Sequence, residues 1–582
     1  MSIELVEPPH APTDRSRDRS QPLSNLGPDE TLKAGSNHLR GTIAESLLDE
    51  ISAGITFPDQ KLLKFHGMYQ QDDRDLRDER RRQKLEPAHQ FMVRVRLPGG
   101  VCTPAQWIKL DKLARAHGGE TLRLTTRQTF QFHWILKRDL KATIQGLHEA
   151  LLDTVAACGD DTRGVMCAVN PALSGLHAEV YNMARDASNH AAWKSGAYHE
   201  IWYGEKKVAS SEGEEPFYGD TYMPRKFKIG FAIPPSNDID VYAQDLGFIA
   251  IVKGHKLEGF NVAIGGSMGR TDGKPETYPR LASVIGYIPA ARVTETIDAV
   301  MSVQRDYGDR KDRAHARFKY TIDDKGLDWI KAEIENRLGF ALEAARTYAF
   351  TSNGDVLGWS ESDGGRSQFT LFIENGRIAN HPGLALMDAL LTIARIHEGT
   401  FRLTPNQNLA IADVGREQRP VIQALLEEYG LDEQGGASAV RRNSMACVAL
   451  PTCGLAMAES ERYLPGLISK IEPLLAKHNL MDTPITLRMT GCPNGCSRPY
   501  NSEIGLTGRA PGKYNLYIGG GFHGHRLNKL YRENIGEAAI LSALDDVLGQ
   551  YAQGRRPGEH FGDFVIRAGI VPEVTEGRHF ND

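Results

Sequence analysis

ETLRLTTRQTFQF at residues 120–132 and GTFRLTPNQNLAI at residues 399–411 decide the fold, because they are two copies of one pattern. Each carries an RLT-x-x-Q core, with Arg123 in one falling on Arg402 in the other. Two further pairs keep the same order. RGVMCAVNP (163–171) matches NSMACVALP (443–451), which sets Cys167 against Cys447. GFNVAIGG (259–266) matches KYNLYIGG (513–520), which sets Asn261 against Asn515. Ordered landmarks of this kind mark an internal repeat, here a duplication fused into one chain.

Outward from the first copy, FMVRVRLPG (91–99) reads as a strand and PAQWIKLDKLARAH (104–117) as a helix with an apolar face of Trp107, Ile108, Leu110, Leu113 and Ala114. Residues 122–136 read as one long strand and 139–152 as a second helix. The chain is therefore expected to be α+β and pseudo-twofold, each half a small β-α-β-α unit followed by a larger α/β unit. The small units are expected at 84–150 and 363–432, the larger ones at 160–335 and 440–575. Residues 1–38, rich in Pro, Ser, Asp and Arg without apolar periodicity, read as a flexible tail.

The net charge of −5 gives no reason to expect nucleic-acid binding, so any basic site must be local. No run of about 20 apolar residues suggests a membrane span. The N-terminus lacks the apolar stretch of a secretory signal, and a cytoplasmic location is expected.

Seven cysteines are too few and too uneven for a disulfide scaffold. Four of them form two close pairs, Cys447 with Cys453 and Cys492 with Cys496, spaced C-x5-C and C-x3-C. Four thiolates so arranged suit an iron–sulfur cluster better than zinc, which favours tighter knuckles, but zinc and buried free thiols stay open on spacing alone. Gly491 and Gly495 let backbone amides come close to such a centre, and Pro451 and Pro493 fix φ beside the ligands. Cys102, Cys158 and Cys167 read as small buried residues.

On an extended strand, Arg123, Thr125, Arg127, Thr129, Gln131 and His133 share one face. That face reads either as ordinary half-solvated strand or as a cradle for an anion, since guanidinium forks match carboxylates. Lys226 and Lys228 likewise alternate onto one face ahead of the apolar IGFAIPP (229–235).

The blocks NSMACVALPTCGLAMAESER (443–462), MTGCPNGCSRP (489–499), FHGMYQQDDRD (65–75), RLTTRQTFQFH (123–133), MPRKFK (223–228) and APGKYNLYIGG (510–520) resemble the sirohaem-dependent sulfite and nitrite reductases. The resemblance runs over residues 38–572 and is strongest to the haemoprotein subunits of NADPH-dependent bacterial enzymes. It implies two ferredoxin-like half-domains and two larger domains that hold sirohaem and a [4Fe–4S] cluster. Cys447, Cys453, Cys492 and Cys496 would hold the cluster, with the Cys496 thiolate shared with the sirohaem iron. Arg123, Arg127, Gln131, Arg225, Arg317 and Asn494 would contact sirohaem. Arg317 stands where the family often has Lys. Arg94, Arg163, Lys226 and Lys228 would face the substrate, although Gly164 follows Arg163 where close relatives often carry Asn. The implied reaction is the six-electron reduction of sulfite to sulfide, with nitrite to ammonia as the rival and a non-enzymatic iron–sulfur or zinc protein as the alternative of another class. No nucleotide-binding fingerprint is evident, so an electron-donor protein is expected: an NADPH-dependent diflavin reductase, or alternatively ferredoxin.

Overall fold

A computed structural model describes residues 22–169, 174–194, 200–203, 206–210, 215–432 and 437–582. The RLTTRQT segment is not one long strand. Leu122–Leu124 and Phe130–Ile135 pair antiparallel, with Arg123 opposite Gln131. The Thr125 hydroxyl accepts from the amides of Arg127 and Thr129, each at 3.2 Å, and Gln128 takes a left-handed φ of 53°. A hydroxyl that binds backbone two and four residues on competes with strand extension. The second copy turns in the same way. The Thr404 hydroxyl accepts from the amides of Asn406 and Asn408, and Gln407 has φ 69°.

Each hairpin belongs to a five-stranded sheet whose last strand comes from the other half. Arg377–Ile378 pairs with Leu122–Leu124 in the first sheet, and Val101–Cys102 pairs with Thr400–Leu403 in the second. The remaining strands run Met68–Asp72, His89–Arg94, Phe130–Ile135 in the first and Gly358–Ser362, Arg366–Leu371, Leu409–Val414 in the second. One apolar core serves both sheets. Helices Pro104–His117 and Leu386–Ile396 pack together over it, and Trp107 lies 4.7 Å from Phe401, ring to ring.

The two larger units repeat one topology. Strands Met166–Cys167, Ile229–Ala232 and Leu246–Lys253 are parallel neighbours, followed by antiparallel Lys256–Ile264 and Ser283–Pro289. Strands Ser444–Ala446, Leu487–Thr490, Ile504–Ala510, Lys513–Ile518 and Lys529–Ile535 follow the same order and directions. Each sheet builds its own core.

Hydrogen bonding corrects one equivalence. The Cys167 amide donates to Gln128 Oε1 at 2.9 Å, and the Ala446 amide donates to Gln407 Oε1 at 3.2 Å. One residue later, Ala168 donates to the Phe231 carbonyl and Cys447 to that of Met489. Cys447 therefore corresponds to Ala168, and Cys167 corresponds to Ala446. The expectation of a flexible tail over residues 1–38 does not hold for its described part. Residues 1–21 lie outside the described residues, but Pro28–Ala34 is a helix whose buried Glu30 and Lys33 pair with each other at 2.7 Å, Glu30 also binding Arg310.

The glutamine turns lock the halves reciprocally. Gln128 donates to the Leu403 carbonyl at 3.1 Å, while Gln407 donates to the carbonyls of Asn375 at 3.1 Å and Leu124 at 3.5 Å. Both side chains are fully buried, so truncation strands backbone groups of the other segment without partners, at about 1–3 kcal/mol. Gln128→Ala and Gln407→Ala should each lower the urea unfolding midpoint at matched cofactor content, and the double variant more than either. Unchanged midpoints would remove the turns from this role.

Candidate functional site

The cysteines sit where parallel strands end. Cys447 follows Ser444–Ala446, and Gly491–Cys492 follow the neighbouring strand Leu487–Thr490. Crevices at the carboxyl ends of parallel strands are the usual ligand sites of such sheets. The Gly491 amide donates to Cys447 Sγ at 3.3 Å, the Thr490 hydroxyl donates to the same sulfur at 3.4 Å, and Asn494 Nδ2 donates to Cys492 Sγ at 3.4 Å. A side chain at Gly491 would place its Cβ 2.5 Å from that of Ala449 and 2.6 Å from the Ala458 carbonyl oxygen. Arg74 braces the same loop by donating to the carbonyls of Cys453 and Ala456.

All four cysteines line one cavity of about 590 Å³. Among the described residues no three His, Cys, Asp or Glu side chains converge tightly enough for a single metal ion. Four thiols spread around one cavity suit a larger cationic body. Burial, reinforced by neighbouring cysteines, pushes the Cys453 thiol up to about 12 and raises those of Cys447 and Cys492. A positively charged cluster core would reverse that repulsion and hold them as thiolates.

The same cavity has a cationic wall. Arg94, Arg163, Arg225, Lys226 and Lys228 line it, together with Arg123, Arg127 and Gln131. Arg163 donates to the carbonyls of Ala157 at 3.3 Å and Gly159 at 2.9 Å. Arg94 donates to the Cys158 sulfur at 2.7 Å, and the Gln131 amide oxygen accepts from the Arg94 guanidinium. Arg127 is held by Gln244 and the Gly164 carbonyl, both at 2.7 Å. Arg123 is already clamped, donating to Glu461 at 2.7 Å and to the Ala446 carbonyl at 2.8 Å.

These cations crowd one another. Burial, then the neighbouring Arg225 and Arg317, holds Lys226 well below the usual lysine range. Burial, then Arg317 and Arg127, brings Lys228 down to about 7. Arg127 falls to about 9 by burial and its arginine neighbours. Among the described residues neither lysine has a carboxylate within salt-bridge reach. The buried Nε atoms of Arg127 and Arg163 and both ring nitrogens of His133 have no hydrogen-bond partner. Such a wall calls for an anion with many acceptors, and a polycarboxylate macrocycle such as sirohaem fits it.

The structure thus brings together every residue singled out from the sequence except one. Asn494 lines the cavity beside the cysteines, but Arg317 is absent from the wall. Its guanidinium contacts both Asp245 oxygens, at 3.0 and 2.9 Å, and Asp245 accepts from the Lys228 amide, so Arg317 acts from beneath that lysine. Sequence reasoning missed Lys64, Tyr69, Asp160 and Arg313, which also line the cavity. Arg313 binds both Asp160 oxygens, at 2.7 and 2.9 Å. Lys64 and Tyr69 fall in or beside the FHGMYQQDDRD block, which was the available signal, whereas Arg313 lies in a charged loop without one.

Comparison with known proteins agrees with this picture. The family model for the nitrite and sulphite reductase 4Fe-4S domain matches residues 183–342, in the copy without the cysteine set. The model for the nitrite/sulfite reductase ferredoxin-like half domain matches twice, at 82–150 and 361–429. Similar relatives include the sulfite reductase [NADPH] hemoprotein beta-component of Nitrobacter hamburgensis, 71% identical over 98% of this chain and 99% of the relative. That of Staphylococcus carnosus is 57% identical over 95% and 97%. Among solved structures, the Mycobacterium tuberculosis NirA protein superposes with a TM-score of 0.74 at 25% identity, over 93% of this chain and 96% of that one. With its duplicated ferredoxin-like halves and near full-length relatives at such identity, the chain belongs to the nitrite and sulfite reductase family.

Proposed function

We propose that this chain is the catalytic subunit of an assimilatory sulfite reductase, reducing sulfite to sulfide in the cytoplasm. One observation carries the reading: a single cavity joins a wall of four cysteines to a wall of mutually repelling cations with unpartnered donors. The names of the relatives, sulfite reductase hemoproteins, support it.

Cys447, Cys453, Cys492 and Cys496 would hold a [4Fe–4S] cluster. Cys496 is the exposed member of the set and lines the same cavity as Lys228, which supports its sharing with sirohaem. Arg123, Arg127, Gln131, Arg225 and Asn494 would orient the macrocycle, Arg123 mainly through its fixed position on Glu461. When bound, the coupled cofactors supply electrons to the substrate sulfur. The chain's own work is electrostatic and protic. Arg94 and Arg163, held by backbone carbonyls and Cys158, form a fixed clamp for an oxyanion. Lys226 and Lys228, whose ammonium forms are destabilised by burial, release protons readily to oxygen atoms that leave as water.

The donor is proposed to be an NADPH-dependent diflavin reductase, since the relatives are the [NADPH] type. Among the described residues no helix is long and apolar enough to cross a membrane.

Three outcomes are expected. Cys496→Ser should lose or severely perturb both cluster and sirohaem, whereas Cys102→Ser should keep both. Iron and sulfide analysis with visible spectra decides this, and a Cys496→Ser protein with full cluster and normal haem bands refutes the shared sulfur. Lys226→Met and Lys228→Met should retain sirohaem yet lower kcat by about 10²–10⁴-fold. Near-normal turnover of both and of the double variant would remove them from the active site, and steady-state kcat/KM for sulfite against nitrite tests the substrate. Finally, the purified chain should reduce sulfite with NADPH when combined with the diflavin reductase of its organism. Efficient turnover with reduced ferredoxin but not with that partner would overturn the donor assignment alone.

A further inference from the structure

Resting on the reading that the cavity holds sirohaem, we propose that Asp160 is a positioning residue for that group: it aims the guanidinium groups of Arg225 and Arg313 at carboxylate arms of the macrocycle and fastens helix Pro28–Ala34 across the same end of the cavity. Among the described residues only two carboxylates line this otherwise cationic space, Asp29 and Asp160. An acid in a wall made for a polyanion repels the ligand unless neighbouring cations absorb its charge.

Asp160 is buried and gathers three cations. Arg313 donates to both of its oxygens, at 2.7 and 2.9 Å, in the two-pronged geometry that a guanidinium favours. Arg225 Nη1 stands 3.6 Å from Oδ1, and Lys33 Nζ stands 3.8 Å from Oδ2. Among the described residues Asp160 is the one carboxylate within salt-bridge reach of Arg225. At 3.6 Å the contact is too long for a hydrogen bond, so Asp160 steers the Arg225 head without occupying its donors.

Backbone pairing fixes where the carboxylate stands. The Met223 amide donates to the Asp160 carbonyl at 3.0 Å, and the Phe227 amide donates to that of Asp161 at 2.8 Å. The Arg163 amide donates back to the Phe227 carbonyl at 2.8 Å. Asp160 and the PRKFK segment that carries Arg225 are thus held in one register. Gly159, just before, has φ 98°, and a Cβ there would fall 2.8 Å from the Phe65 ring.

The same ion pairs reach the N-terminal helix. Asp29 lies 3.2 Å from Arg313 Nε and also pairs with Lys61. Lys33 donates to Glu30 at 2.7 Å and to the Met223 carbonyl at 2.9 Å. Asp29, Leu32 and Lys33 line the cavity, so Pro28–Ala34 covers this end of it, and Arg313 stands at the rim with its side chain 43% exposed. Burial opposes a charge on Asp160, yet Arg313 and Lys33 hold its carboxyl well below the usual carboxylate range, so it is ionised at neutral pH.

Asp160→Asn separates position from bare charge. Were the carboxylate only a negative charge beside a polyanion, its removal would slow the loss of sirohaem. As a positioning residue, its removal leaves Arg225 facing the like charge of Arg313 without a shared partner. Sirohaem should then leave about 10–100-fold faster, the usual scale for a group one step behind a ligand-holding residue. The rate is read from the decay of the visible sirohaem bands when purified holoenzyme is dialysed. Asp160→Glu should recover most of the retention, and Asp160→Asn should add nothing in an Arg225→Ala, Arg313→Ala background. If Asp160→Asn fails to fold, Asp29→Asn, which removes the second carboxylate on Arg313, carries the same test of sign. Slower or unchanged release overturns the positioning role and leaves the sirohaem reading intact. No recovery in Asp160→Glu, or a further loss in the double-arginine background, reduces Asp160 to a structural role. A parent chain purified without sirohaem bands sinks the sirohaem reading and this role with it.

Discussion

Two buried carboxamides hold the molecule in register. Gln128 and Gln407 sit at matching left-handed turn positions, and each reaches across the pseudo-twofold axis to backbone of the other copy. Each also accepts from the strand that opens a larger unit, at Cys167 and at Ala446. The second contact is one residue from Cys447, the first of the four cysteines that line the cavity. The same side chain that joins the small domains therefore sets where Cys447 begins. Hydrogen bonds fully removed from water are costly to leave half-made, so the arrangement tolerates little sliding of one copy against the other.

From that frame follows the charge design of the cavity. The copies contribute opposite characters: the second supplies thiols, and the first supplies all the arginines and lysines that line the cavity. Neither wall is electrostatically comfortable without its ligand. Neighbouring thiols resist ionisation, and neighbouring cations resist protonation. A group that is cationic on one side and polyanionic on the other answers both, which is why a haem–cluster pair suits the site better than either part alone. Asp240 strengthens the union, binding Arg488 at 2.7 Å and also Arg498, two residues beyond Cys496.

Much of this was legible in the sequence, for definite reasons. The repeat fixed the architecture because RLT-x-x-Q and the N-x-x-IGG blocks are structural landmarks as well as words. The cysteine spacing pointed to a cluster because wide pairs leave room for a large body. The misses are equally physical. Residues 122–136 looked like one strand because a turn of threonine, arginine and glutamine has neither glycine nor proline to announce it; the Thr125 hydroxyl and the backbone bond from the Gln128 amide to the Thr125 carbonyl bend it. Cys167 seemed to match Cys447 because a shared residue type outweighed a one-residue shift that only amide pairing reveals. Arg317 and Arg313 exchanged expectations: one satisfies a buried carboxylate, and the other, from an unpatterned loop, reaches the cavity.

The exchanged edge strands carry a last consequence. Arg377–Ile378 completes the first sheet and Val101–Cys102 completes the second, so the chain contains a domain swap with itself. In a pair of separate subunits such an exchange would depend on concentration. Joined in one polypeptide, each strand sees its acceptor at an effective concentration on the order of millimolar. Assembly no longer selects for identical partners, and the two copies are free to specialise, one in sulfur ligands and the other in cations, without losing each other.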